Sequence, residues 1–500
     1  MKINRVQSVL SIHDRFNLEL KMSYLLNKSY RTNTYQVDNY LFIPTNLGVD
    51  KDTFPRELFY KSLHSYVRFK TPRIPLDKVT LDTVDSPLGK LRTAIENVRT
   101  RAAEAQAIQT FEHELKMFGA IVRGSIRDVI VFLKSGSSIA EDKKRLIEEF
   151  IENCSNVLVA LRALWQDVCQ PSIPLESQQD FLHMDEAIRI AIDENAFRIV
   201  RMLDTDGIED RENDKALIEE VLQLIRCNLE RREAIHGEPP PAEDSDNEEF
   251  IFRKRILKKF ISSVLFLEVR RKEEKRRLEH FLFAIAAGVA MAFTMFIAYQ
   301  FNQRFDAWSM PVIAASLIAY MMKDRMKAVG QNFFRTLLER FYYDHRINIV
   351  LPHHHQRIGY CKEYVRYLDE SDLPDRIAML RQRKDIQQLE RELIGETILA
   401  YRKKIALYTN PIQRLYPKVF GVNDIVRLNV RSWLQNMDNP RSPLFVLKEN
   451  SFTKTFGQKA YMLHLITRFR AGDSEGFSVF RIFITQKGLK RIEEIPLVVG

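Results

Sequence analysis

Hydrophobic and polar positions alternate near the start of the chain. In segment 16–24 the apolar side chains take every second position: Phe16, Leu18, Leu20, Met22 and Tyr24. This period of two predicts a half-buried strand. A second strand is predicted over 35–43. It is expected to end there because Pro44 cannot donate a backbone hydrogen bond to a sheet. Residues 1–80 are therefore predicted to form a β-containing segment.

After residue 86 the apolar positions recur every three or four residues. This helical period runs through four stretches, which cover about 88–134, 140–168, 177–203 and 213–233. Four amphipathic helices with short connections predict an antiparallel bundle over 86–234. A di-metal bundle needs Glu-x-x-His motifs on paired helices. We interpret the predicted helices as having no such motifs, so a di-metal site is not expected. A structural or partner-binding bundle is expected.

Residues 235–249 contain three consecutive prolines and six acidic residues without a base. Such a composition cannot bury a core and predicts a solvated linker. Residues 250–280 are predicted to form one amphipathic helix that leads directly into the next segment.

Two uncharged apolar runs follow, at 281–299 and 307–322. A stretch of about 20 apolar residues spans a bilayer as a helix. The runs predict a transmembrane hairpin flanked by amphipathic helices, together covering 250–346. The alternative is a hairpin buried in a soluble core. Because neither span contains an ionisable residue, a transporter or pump is not expected.

Basic clusters flank the predicted hairpin at 270–277 and 323–327. Basic residues beside spans stay on the cytoplasmic side of a membrane. Both termini are therefore expected in the cytoplasm, and the chain is expected to be a two-span protein of a bacterial-type inner membrane. The excess of bases beside the spans suits anionic lipid headgroups.

Small residues occur at intervals of four within both spans. They are Ala284, Gly288 and Ala292 in the first span, and Ala315 and Ala319 in the second. Small side chains let helices approach closely in lipid. The hypothesis is packing of the spans on each other or on a second copy, which would give a homo-oligomer. The alternative is the ordinary abundance of small residues in spans.

The last segment, 347–500, is predicted to be mixed and rich in strands. Residues 372–407 have a helical pattern, and three alternating runs follow at 425–434, 460–469 and 477–486. The turn-rich link between the last two runs predicts a hairpin. An antiparallel sheet with one wet face is expected. The strand at 16–24 is a candidate to join it.

Charge and cysteine usage exclude several classes of protein. Residues 81–249 hold 20 basic and 35 acidic residues, a balance that makes nucleic-acid binding unlikely for this part of the chain. The four cysteines, Cys154, Cys169, Cys227 and Cys361, are scattered and form no CxxC pair. They indicate neither a disulfide framework nor a zinc site.

The most conspicuous polar motif is His353, His354 and His355. Adjacent histidines on a strand point to opposite faces, so a solvated loop is favoured over a metal site. The run Tyr401-Arg402-Lys403-Lys404 is interpreted as a solvated basic face, with phosphate or lipid headgroups as the alternative. Phosphate-binding, nucleotide-binding, esterase and metalloprotease motifs are absent from the sequence. No cofactor is expected.

The predicted fold class is a multi-domain α+β membrane protein. It would combine a cytoplasmic helical bundle, a two-helix transmembrane hairpin and a C-terminal antiparallel β-rich domain. The expected function is a membrane-anchored cytoplasmic scaffold or regulatory protein that binds another cytoplasmic protein, without a recognisable catalytic motif. The alternatives are a membrane-surface enzyme with a site in 345–500 and an oligomeric pore-forming effector. A pocket of convergent polar groups would favour the enzyme, and an exposed apolar or basic patch the scaffold.

Overall fold

A computed structural model describes most of the chain. The described residues are 6–101, 104–134, 140–206, 211–237, 241–272, 275–305, 309–341, 343–352, 355–381, 395–449, 451–472 and 474–497. The chain forms two compact units. One combines Met1–Arg68 with Leu267–Gly500 and is called the sheet unit. The other, Phe69–Phe266, is called the helical unit.

Both helices and strands are abundant in the described residues. The strands are β1 Val6–Ile12, β2 Asn17–Leu25, β3 Thr32–Pro44, β4 Leu63–Phe69, β5 Phe266–Lys272, β6 His345–Val350, β7 Arg357–Leu368, β8 Glu396–Tyr408, β9 Gly421–Asn429, β10 Arg441–Lys448, β11 Ser451–Gln458, β12 Tyr461–Ala471, β13 Ser474–Thr485 and β14 Gly488–Ile495. The main helices are α1 Arg56–Ser62, α2 Leu76–Val79, α3 Pro87–Thr100, α4 Ala105–Lys134, α5 Ala140–Val168, α6 Leu175–Asp206, α7 Arg211–His236, α8 Glu248–Ser262, α9 Lys275–Arg304, α10 Met310–Phe341 and α11 Asp375–Arg381. A further short helix covers Thr409–Leu415.

The sheet unit is built on one large sheet of twelve described strands. Their order is β1-β2-β9-β4-β5-β6-β7-β8-β3-β12-β13-β14, while β10 and β11 form a separate two-stranded sheet. Strands β4 and β5 are neighbours in the sheet although the helical unit separates them in sequence. The helical unit is thus an insertion between two adjacent strands.

The large sheet is strongly curved. Four strands separate β9 from β8 in the sheet order, yet Lys403 on β8 forms an ion pair with Asp424 on β9. At the two ends of the sheet, the backbone N–H of Leu489 on β14 donates to the carbonyl of Arg15, in the turn after β1, at 2.9 Å. Side chains on the concave face therefore meet across an enclosed interior.

Several predicted strands are confirmed. Strand β2 buries Leu18, Leu20, Met22 and Tyr24 on one face, as its alternation indicates. It pairs antiparallel with β9, so the N-terminal strand does join the sheet formed by the C-terminal part of the chain. The hairpin predicted over 460–486 is present as β12 and β13.

Two predicted helices are wrong in part. In the stretch 372–407, the short helix α11 matches the prediction, residues 382–394 lie outside the described residues, and β8 occupies the last part. The helix predicted over 250–280 is interrupted, because α8 ends at Ser262 and β5 lies between α8 and α9. The basic cluster at 270–277 therefore begins inside a strand of the sheet.

The helical unit contains the predicted bundle, but its helices have different boundaries from the predicted ones. The first predicted helix, 88–134, is two helices, α3 and α4, and α8 also packs into the bundle. An ideal Cβ on Gly119 of α4 would lie 3.0 Å from Ile261 of α8 and 3.1 Å from Met184 of α6. Gly119 thus permits the close approach of three helices. Helices α7 and α8 extend into the two ends of the predicted linker, 235–249. The described residues between these helices form neither helix nor strand.

Candidate functional site

Helix α9 presents an apolar surface that the other described residues leave uncovered. Its segment Glu279–Arg304 is 26 residues long and is the one described helix that is long and apolar enough to cross a membrane. Only 11% of its most apolar window is buried. The apolar side chains that point outward include Phe281, Ile285, Val289, Met295 and Phe296. A soluble core helix would bury such residues, so this exposure favours a lipid environment.

Helix α10 runs antiparallel to α9. An ideal Cβ on Gly330 would lie 3.1 Å from Cβ of Ala286, and Arg335 lies 3.9 Å from Glu279. These two contacts set the register of the pair: residues with higher numbers on α9 face residues with lower numbers on α10. In this register the charged segment 323–327 lies beside the middle of the run 281–299, not beside its end.

This register limits the apolar length that the two helices share. Helix α10 contains residues 310–322 of the apolar run, or about 20 Å of helix, against a hydrocarbon core of about 30 Å. Helix α10 does not qualify as a membrane-spanning helix in the described residues. The structure thus supports one candidate span, and the second span of the predicted hairpin is unconfirmed.

The predicted small residues occupy different faces of the helix pair. Ala284, Gly288 and Ala292 are exposed, and an ideal Cβ on Gly288 would meet no atom within 4 Å. On α10, Ala319 is buried and Ala315 is half-buried. Another set of small residues is buried in α9: Ala286 and Ala290. The row 284–288–292 is therefore free to meet lipid or a second copy.

A cluster of ionisable side chains lies inside the curved sheet. Glu363 on β7 and Lys403 on β8 are directly opposite each other in the antiparallel pairing. Lys403 Nζ lies 2.8 Å and 2.7 Å from the two carboxylate oxygens of Asp424. Tyr401 Oη donates to Glu363 Oε2 at 2.7 Å, while Glu363 Oε1 has no hydrogen-bond partner among the described residues. Glu363 and Asp424 are 0% exposed and Lys403 is 1% exposed.

Burial and charge fix the protonation of this cluster. Burial alone would lower the pKa of Lys403, but attraction to Asp424 raises it, so the lysine stays cationic. Burial raises the pKa of Asp424 against the pull of Lys403. Burial also raises the pKa of Tyr401 and of the nearby Cys361 thiol. A nucleophilic lysine or cysteine needs a lowered pKa, so the cluster holds none of the usual activated nucleophiles.

The cavity next to Tyr401 is small and apolar. It has a volume of about 60 Å³, and its polar lining comes from Asn39 and Tyr401. Leucines from β1, β2 and β3, with Phe59 of α1, make up much of the rest. Substrate pockets are usually several hundred Å³ in volume. This geometry suits a packed interior with a stabilising ion pair better than a catalytic pocket.

The helical unit contains a second buried polar network, in which each group has a partner. Arg189 bonds to Asp185 at 2.7 Å and to Asn228 at 3.0 Å. Asn228 donates to Asp193 at 2.7 Å, and Arg232 donates to Asp193 at 3.2 Å. Burial raises the pKa of Asp193 to about 6 despite these donors. The network ties α6 to α7 and is structural in its geometry.

One Glu-x-x-His sequence does occur in the bundle, at Glu233–His236, and the sequence interpretation missed it. His236 Nε2 lies 3.3 Å from Asp185, and His236 Nδ1 lies 3.9 Å from Glu186. Arg253 of α8 already bonds both oxygens of Glu186, at 2.8 and 2.7 Å. The acids are thus neutralised by arginines, and no group of metal-ligating side chains is found among the described residues.

A cavity in the helical unit has a volume of about 400 Å³. It lies between the segment 73–77 and helices α4 and α5, with Phe132 and Phe150 in its wall. Ser125 Oγ donates to the carbonyl of Ile74 at 2.6 Å and holds the segment against α4. Acidic side chains are the only ionisable groups of α4 and α5 in its lining: Asp128 and Glu149. A recognisable catalytic constellation is not among the described lining residues.

The histidine motif is only partly described. His353 and His354 lie outside the described residues. His355 adopts a positive φ of 47°, and its Nδ1 lies 3.3 Å from Arg270. An adjacent guanidinium disfavours binding of a metal cation at that nitrogen.

The run Tyr401–Lys404 is not a uniform solvated face. The strand alternation sends Tyr401 and Lys403 into the interior, while Arg402 points outward and pairs with Asp38. Sequence reasoning missed this cluster because Lys403 and Asp424 stand 21 residues apart on strands that are not adjacent. No family model, curated protein or solved structure matches this chain.

Proposed function

We propose that the protein is a membrane-anchored scaffold or regulatory protein, held at a bilayer by the helix pair α9–α10. The observation that carries this proposal is the uncovered apolar surface of α9 over a length sufficient to cross the membrane. In its finer form, the proposal places two spans in an inner membrane, with both termini and nearly all of the remaining chain in the cytoplasm.

The interior of the sheet unit supports a non-catalytic role. The ion cluster is sealed from solvent, its thiol and its tyrosine are held protonated, and the adjoining cavity has room for little more than water. Binding to cytoplasmic protein partners would then be the task of the units that the anchor holds in place.

Topology reporters fused after residues 250, 304 and 500 test the proposal in intact cells. The expected result is a cytoplasmic signal at 250 and 500 and an external signal at 304. Carbonate extraction of the same membranes tests anchoring separately, because only integral proteins resist it.

The two readouts separate the parts of the proposal. A chain that resists carbonate but reports a cytoplasmic signal at 304 would show that the helix pair enters and leaves on one side, which contradicts two spans. A chain that carbonate removes from the membrane would contradict the anchor itself.

A further inference from the structure

The β10–β11 ribbon, defined as Arg441–Gln458, is the second uncovered apolar feature of the sheet unit. Its two strands pair only with each other among the described residues. Nearly all of its described side chains are exposed, including Leu447 at 88% and Phe452 at 70%. An isolated two-stranded hairpin is at best marginally stable in water.

The aromatic side chains of the ribbon are concentrated on one face. Side chains alternate between the faces along a strand, and the antiparallel register pairs Leu447 with Phe452 and Pro443 with Phe456. Phe445, whose ring lies 5.7 Å from that of Phe452, belongs to the same face. The opposite face has no aromatic residue and carries Thr453 and Thr455 opposite Val446 and Leu444. A contiguous exposed patch of three phenylalanines and a leucine marks an interaction surface.

Basic residues accompany this aromatic face. The segment 441–459 has four bases, Arg441, Lys448, Lys454 and Lys459, and one acid, Glu449. The Lys454 ammonium lies 5.7 Å from the centre of the Phe456 ring, directly within the patch. Lysine side chains beside buried aromatics reach up to phosphates at a membrane surface, and anionic lipids attract such clusters.

We infer that the aromatic face of the β10–β11 ribbon rests in the interfacial layer of a bilayer that contains anionic lipid. This inference deepens the proposed function, because it assumes the membrane at which α9 anchors the same unit. A second copy is the competing occupant, but a basic ribbon would repel an identical ribbon, whereas anionic headgroups complement it. The polar pair Lys448 and Ser451, at the end of the ribbon, keeps it at the interface and prevents deep insertion.

Tryptophan quenching tests the inference on the full chain in vesicles. Phe445→Trp places a reporter on the aromatic face, and Thr453→Trp is the matched control on the opposite face of the same ribbon. The vesicles contain phosphatidylcholine with brominated acyl chains and phosphatidylglycerol, and vesicles without bromine give the reference emission. The signal of the unmutated chain is subtracted.

The expected result is a severalfold larger loss of emission for Phe445→Trp than for Thr453→Trp. Removal of phosphatidylglycerol, or Lys454→Gln, should reduce that loss. Equal quenching of the two reporters, or none, would overturn the inference. Emission that is insensitive to bromine but shifts to the blue with rising protein density would assign the face to a second copy instead.

Flotation of the unmutated chain with the same vesicles separates this inference from the proposed function. A chain that fails to float has no anchor, and the proposed function falls. A chain that floats and resists carbonate, while Phe445→Trp is not quenched, retains its anchor and lacks only the ribbon contact.

Discussion

The interior of the curved sheet and the exterior of α9 depart in opposite directions from the usual distribution of residues in a soluble protein. The sheet encloses a lysine and two carboxylates where apolar side chains are expected. Helix α9 exposes phenylalanines, valine and methionines where charged side chains are expected. Buried charges are tolerated because they are paired, whereas the exposed apolar surface has no compensation within the described chain. The contrast separates a feature that the fold explains by itself from one for which we propose a lipid environment.

The largest expected effect comes from breaking the buried pair. Lys403→Met leaves Asp424 and Glu363 without their cation, and loss of one partner of a buried pair costs about 3–5 kcal/mol. Hydrogen exchange of peptides from β7 and β8 measures the loss locally. In the double variant Lys403→Met/Asp424→Leu, part of the stability should return, because Glu363 alone then lacks the cation. A double variant as unstable as the single one would show that the ion pair is not the source of the effect.

The second prediction compares two equally exposed valines. Val289 on α9 and Val9 on β1 are each 58% exposed. Val289→Arg should cost about 2.5–3.5 kcal/mol of apparent insertion free energy, because a charge would enter the span. Val9→Arg should change stability by less than about 0.5 kcal/mol, as is usual at a hydrated surface. The carbonate-resistant fraction of each variant measures the difference. Equal resistance in both variants would mean that α9 meets water.

The third prediction uses a histidine that the sheet unit buries uncharged. Burial, and then the charge of Arg381, lowers the pKa of His464 to about 3 from an ordinary 6.5. Its contribution to stability is complete above pH 6.5 and is lost as the pH falls toward 3. At pH 5 the loss should be about 2 kcal/mol, since one pKa unit corresponds to about 1.36 kcal/mol.

His464→Gln should remove this part of the acid sensitivity, and His64→Gln, at an exposed position on β4, should leave it in place. Hydrogen exchange of β12 peptides, corrected for intrinsic rates, follows the slope. An unchanged slope in His464→Gln would exclude this histidine as the acid-sensitive group.

The smallest expected effect concerns the contact between α9 and α10. Gly330→Leu should push the helices apart at Ala286, at a cost of about 1–2 kcal/mol, the scale of single interhelical contacts in lipid. Gly288→Leu faces open space and should leave the pair intact. A crosslink between cysteines placed at 279 and 335 reports the separation. If Gly288→Leu also abolished the crosslink, the register of the pair would be different from the one described.

The contrast between β2 and β8 shows where the alternation of apolar residues predicts a strand and where it does not. In β2 the alternation is visible because the intervening residues are half-buried. In β8 the outward residues Ile398 and Ala400 pack in a second core with Ile377 of α11, while Leu399 and Tyr401 fill the interior. Apolar residues on both faces hide the period of two, and the pattern of the segment therefore predicts a helix.

The candidate sites show a similar division. The apolar length of α9 is a local property and was predicted correctly. The register of α9 on α10 and the meeting of Lys403 with Asp424 depend on tertiary packing, and neither leaves a local signal. The ribbon was missed because its apolar residues do not alternate cleanly between its two faces.

The pairing of β2 with β9 also means that β2 is synthesised long before its partner strand. Ser23 and Asn423, which bond at 2.7 Å across these strands, are separated by 400 positions in the sequence. At translation rates of about 5–20 residues per second, β2 leaves the ribosome roughly 20–80 s before its partner exists. Helix α9 is made within that interval. In the membrane-anchored protein that we propose, the nascent chain reaches the membrane while its first strands still have open edges, and those edges need a chaperone or their own polar residues to avoid aggregation.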